Sequence, residues 1–93
     1  MATSKIERSI KDIIVKTVNS GEVEVTGGTS LRCDIPIPTE SGYKFLLSTN
    51  PAMIGETGPC WITINNSSTC RVWGTPALSG TVTFQINVLY IKG

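Results

Sequence analysis

The chain has no histidine, and its 93 residues include three Cys, two Trp, two Tyr and two Phe. Without an imidazole, neither a Ser-His nor a Cys-His nucleophile pair can be assembled, and the usual general base at neutral pH is missing. The chain is therefore read as non-enzymatic. Charge is also scarce: eight Lys and Arg against seven Asp and Glu leave a net charge of +1. A polyphosphate partner normally meets a basic face that releases counterions, so no nucleic-acid partner is expected. No apolar run approaches the roughly 20 residues that span a bilayer. The opening MATSKIERSIKDIIVK lacks the apolar segment and small-residue cleavage site of a secretory signal. The expectation is a product made in the cytoplasm, without membrane insertion.

Cys33, Cys60 and Cys70 are an odd number, and no CxxC or Cys/His spacing offers a zinc site. They read as small buried hydrophobes kept reduced, with at least one thiol free or paired between chains. No metal or cofactor is expected. Asp12, Glu22, Glu24, Asp34, Glu40 and Glu56 are scattered, and solvated strand-face charges explain them better than a calcium loop, which wants six or more oxygens. Thr26-Gly27-Gly28-Thr29 lacks the Lys and following helix of a phosphate loop and reads as a turn.

What the chain has in quantity is β-branched residues: Ile, Val and Thr are 30 of the 93. These side chains fit a pleated sheet better than a helix. Thr81 to Val88 alternates polar and apolar, setting Val82, Phe84, Ile86 and Val88 on one face. Leu89-Tyr90-Ile91 is then apolar on both faces, as in a central strand or one that meets another subunit, and these three are the candidate oligomer interface. Cys60–Ile64 and Cys70–Trp73 read as a hairpin around Asn65–Thr69. The preferred register sets Ile64 opposite Cys70 and Ile62 opposite Val72, leaving Trp61, Thr63, Arg71 and Trp73 on the other face. It also separates Cys60 from Cys70 by too much for a disulfide.

Tyr43–Ser48 is a further strand after a turn at Glu40-Ser41-Gly42. Cys33–Pro38 is an extended edge or connecting segment, because its prolines remove ladder donors. Asn50–Pro59 reads as a long mobile loop. Residues 1–11 read as a lead or short helix, with Ser4 and Glu7 forming a capping box, and residues 12–93 as a single domain. The expected fold is all-β, an antiparallel sandwich of about seven strands, jelly-roll or immunoglobulin-like.

The candidate ligand residues are Trp61, Arg71, Trp73 and Tyr43. Flat aromatic rings stack on sugar rings and Arg adds a fork of donors, so their face is a candidate glycan platform. The alternative is that the Trp pair is core or lies at a subunit interface. A domain this small buries only about 60 to 65% of its unfolded surface, which makes oligomerisation an expectation.

Ile64-Asn65-Asn66-Ser67-Ser68, Gly80-Thr81-Val82-Thr83-Phe84, Val88-Leu89-Tyr90-Ile91-Lys92 and Gly42-Tyr43-Lys44 carry a resemblance. Over residues 42–93 the chain resembles small C-terminal modules of bacteriophage tail-fibre and tail-tip receptor-binding proteins, common in prophages of Gram-positive gut bacteria. The resemblance implies a β-sandwich that trimerises about the fibre axis, joins other tail proteins in the virion and helps attach it to a host-surface glycan or protein. It assigns no binding residues. Two further readings stand beside it: a carbohydrate-binding module of a larger protein, and a purely architectural subunit of tail or capsid.

Overall fold

The row Val82, Phe84, Ile86, Val88 and Tyr90 is the spine of the molecule. All five side chains are buried, and each contributes roughly 1.5–3 kcal/mol of apolar burial. They lie on β6 (Gly80–Lys92), the central strand of a sheet ordered β1-β6-β3, with β1 at Ile13–Val25 and β3 at Tyr43–Ile54. A second sheet, ordered β2-β5-β4, consists of β2 (Leu31–Pro36), β5 (Thr69–Gly74) and β4 (Cys60–Asn65). The computed structural model describes residues 12–93, so the lead or helix expected over residues 1–11 lies outside the described residues. Among the described residues the chain is all-β, with two antiparallel three-stranded sheets.

One core serves both sheets. Cys70 and Val72 from β5 and Ile35 from β2 close over the β6 row, with Val25 and Met53 at its margins. The longest strands, of 13 residues, extend over roughly 43 Å and the six-residue strands over about 20 Å, at about 3.3 Å per residue. The remaining length of the long sheet is covered by connections, including the buried Pro76.

Among the described residues there are six strands rather than about seven, and the difference lies in the bulges. Ile13–Val18 and Glu22–Val25 belong to one strand, whose register with β6 shifts between Asn19 and Glu22. The Ser20 hydroxyl there accepts from the Phe84 N–H and donates to the Gly21 carbonyl, so side chain replaces backbone in the ladder. The loop expected over Asn50–Pro59 is also shorter. β3 runs to Ile54, because a bulge between Thr49 and Ala52 absorbs Asn50, at φ 52°, and the donor-less Pro51.

The β4–β5 hairpin keeps Ile62 opposite Val72 and Trp61 opposite Trp73, but Ile64 faces Arg71 and Asn65 takes the expected place of Ile64 opposite Cys70. A bulge at Thr63 causes the shift, and the amide it turns inward has a task. Asn65 Oδ1 accepts from the Ser48 N–H at 2.8 Å, and its Nδ2 donates to the Ser48 carbonyl at 2.7 Å. An edge-strand backbone that β6 leaves unpaired is thereby satisfied across the gap between the sheets.

Candidate functional site

The outer face of the short sheet is aromatic and charged. Arg32, Trp73 and Trp61 stand in one row across β2, β5 and β4, and Asp34 and Arg71 are paired in the next. Trp61 is 39% exposed and Trp73 half-buried, so neither belongs to the core, one of the places the sequence left open for them. Their rings are parallel to within 5°, with centroids 6.4 Å apart. Face-to-face contact would bring them to about 3.5 Å. The pair is therefore slipped sideways and spreads its aromatic surface along the sheet instead of hiding it.

Trp73 is the anchored ring of the pair. Trp73 Nε1 donates to Thr63 Oγ1 at 2.8 Å, so the bulge that turns Asn65 inward also fixes the second Trp. Arg71 donates from Nε to Asp34 Oδ1 at 2.9 Å and from Nη2 to Oδ2 at 3.2 Å. This fork holds the Asp34 carboxyl below its ordinary range and raises Arg71. The remaining N–H donors of the guanidinium have no partner among the described residues and are left to an incoming acceptor. Asp34 was not among the expected site residues, although the alternation Leu31-Arg32-Cys33-Asp34-Ile35 sets it outward.

Tyr43 does not join this face. It opens β3 in the other sheet, on the same side as Phe45 and Tyr90, and packs against the core. There it lines a cavity of about 140 Å³ beneath the connection from β2 to β3.

The three expected interface residues divide by strand alternation. Tyr90 is 2% exposed and its hydroxyl donates to the Pro38 carbonyl at 2.6 Å. It is a core residue, and the expectation of an interface role for it is corrected on that ground. Leu89 and Ile91 face outward, beside Val15 and Ile13 on β1 and Leu47 and Lys44 on β3. With Val15 58% exposed and Leu46 and Leu47 also exposed, these side chains form an aliphatic patch at one end of the long sheet. Leu46 and Leu47 both face outward because β3 bulges between Phe45 and Leu47, an irregularity that a sequence pattern does not announce.

The three cysteines are free; Cys70 is buried and Cys33 and Cys60 are half-buried. Burial is the largest influence on all three thiols and pushes them up. None has the lowered value of a reactive cysteine.

No known protein family, curated protein or solved structure matches the chain. Among the described residues, no helix is long and apolar enough to cross a membrane.

Proposed function

We propose that this chain is a non-enzymatic binding module of a bacteriophage or prophage tail that helps attach the particle to its host by holding a surface glycan on Trp61 and Trp73. The observation that carries the reading is the slipped, parallel Trp pair on an outer sheet face, with Trp73 held by Thr63 and the Arg71–Asp34 fork alongside. Such a surface offers the apolar face of a sugar two rings and its hydroxyls a guanidinium. The tail context is supported by the resemblance over residues 42–93.

In this reading the two sheets form a six-stranded sandwich of jelly-roll type. β1 lies beside β6 and β2 beside β5, the order made by folding one long hairpin over on itself. The test is a glycan array followed by titration calorimetry on the best binder. Trp61→Ala is expected to weaken binding about tenfold, equivalent to about 1.4 kcal/mol, with the β-sheet circular dichroism unchanged. Binding that survives loss of both Trp side chains sinks the proposal. Glycan binding that is lost with the Trp side chains, in a chain that does not associate with tail proteins, would favour a carbohydrate-binding module of a larger protein.

The aliphatic patch favours a second reading, a purely architectural subunit. Its occupant is a further copy of this chain, as in a trimeric fibre tip: the patch runs onto the edge strand β1, and a small core leaves apolar area to be covered between subunits. Light scattering across a dilution series under reducing conditions decides. A mass of one chain throughout removes the self-association.

A further inference from the structure

The cavity beneath the β2–β3 connection is built from residues far apart in sequence. Ile37, Pro38, Phe45 and Tyr90 supply its apolar lining, and Thr39, Glu40, Tyr43 and Ser67 its polar lining. Three of the chain's six Phe, Tyr and Trp residues meet here. The walls are fixed by backbone bonds from Ile37 N–H to the Ser68 carbonyl at 3.0 Å and from Tyr43 N–H to the Glu40 carbonyl at 3.0 Å. The Tyr90 hydroxyl, bonded to Pro38, holds the connection against the sheet.

Size and polarity together select an occupant. At about 140 Å³ the space is below the roughly 300 Å³ at which pockets for drug-sized ligands begin. It is close to the engineered apolar cavity of about 150 Å³ that holds one benzene, so the space takes a single six-membered ring, and the outer hydroxyls of a sugar, with about twice the heavy atoms of benzene, would project through the open side. This cavity, unlike that one, opens to solvent and carries hydrogen-bonding groups. Among the described residues the hydroxyls of Thr39, Tyr43 and Ser67 are not engaged by another side chain, while Glu40 Oε2 meets Lys16 Nζ at 2.8 Å and leaves Oε1 free. The ion pair also cancels the only charge in the lining, which removes the attraction for a cation or an anion. A ring with an apolar face, a hydroxylated edge and no charge meets all three conditions.

We infer that this cavity is a second binding site, for one neutral hexose ring, separate from the Trp face. Its residues do not overlap with those of the platform, so either site can fail without the other.

The experiment is a ¹H–¹⁵N correlation titration of the full chain with D-glucose, D-galactose and N-acetyl-D-glucosamine, each to about 50 mM to reach millimolar dissociation constants. Tetramethylammonium and acetate serve as charged probes. At least one hexose is expected to shift the amides of Thr39, Glu40, Tyr43 and Ser67 with saturation. Tyr43→Phe and Glu40→Gln should each weaken that effect at least threefold, and Trp61→Ala should leave it unchanged. The spectra themselves report whether each variant is folded. Absence of hexose shifts at these amides overturns the inference, as does saturation there by a charged probe alone. Hexose shifts confined to the Trp indole N–H signals overturn it too, while leaving the platform standing.

Discussion

The two sheets are alike inside and unlike outside. Inward, both present aliphatic side chains with single aromatic or sulfur-bearing residues among them, and they close on one core. Outward, the short sheet carries two Trp rings and an Arg–Asp fork, whereas the long sheet carries an aliphatic patch at one end and Thr, Asn and Gln along its middle. The inner faces answer to burial and are interchangeable in kind. The outer faces are not required by the fold, and their difference separates a surface suited to a polar ligand from one suited to another protein.

The largest effect that can be placed on this comparison comes from within. Phe84→Ala removes a fully buried ring from beneath both sheets and is expected to destabilise by about 3–5 kcal/mol. That is a large share of the total stability of a small domain, and urea denaturation should show a population unfolded without denaturant or close to it. Gly58→Ala follows. A Cβ at Gly58, whose φ is 152°, would fall onto the Thr75 carbonyl oxygen. The two connections that meet there are stitched by Thr75 N–H to the Pro59 carbonyl and Ala77 N–H to the Thr57 carbonyl. Forcing them apart should cost about 2–3 kcal/mol, read as a lower urea midpoint with an unchanged slope. An effect below about 0.5 kcal/mol, the scale of ordinary surface substitutions, would show that this seam yields freely.

The order of these effects explains what could be read from the sequence. The period-two row from Val82 to Val88 is a local signal of burial and identified a strand with one buried face; that the strand is central was one of two readings of Leu89-Tyr90-Ile91, and the sheet order β1-β6-β3 gives it. Pairing of Ile62 with Val72 and Trp61 with Trp73 followed from keeping apolar residues on one face. Bulges obey no such pattern. At Thr63 the chain gives up the apolar pairing of Ile64 with Cys70 so that Asn65 can satisfy Ser48 on the other sheet, and nothing near Asn65 in sequence names that partner. Tyr43 was grouped with the Trp residues by chemistry, but the strand order places it in the opposite sheet. The cavity was invisible for the same reason, since its walls come from β3, β6 and two connections.

Smaller effects should separate the outer faces. If the long sheet meets a further copy of the chain, Leu47→Lys puts a charge into the aliphatic patch and should reduce the mass in solution to one chain. Trp61→Ala should leave that mass unchanged. Leu47 is exposed, so thermal stability measured at a concentration where the wild type is monomeric should differ little, as for ordinary surface substitutions. A wild type that is already monomeric at every concentration removes the contrast, and the patch with it.

The smallest effect concerns Asp34 and Arg71, and it asks to which face-building task the pair belongs. Arg71 lowers the Asp34 carboxyl, with Arg32 adding a weaker push the same way. A lowered folded value means that the pair stabilises above the ordinary carboxylate range and loses that contribution as pH falls through the lowered value. Both side chains are substantially open to solvent, so the contribution is small and screened by salt. The melting temperature of Asp34→Asn should therefore lie slightly below wild type at pH 7 and converge with it in acid. Glycan affinity should respond more strongly, by about threefold, because a guanidinium released from its carboxylate is no longer fixed on the face that carries the Trp pair. If the melting temperature falls while affinity is untouched, the fork belongs to the sheet and the platform consists of the two rings alone.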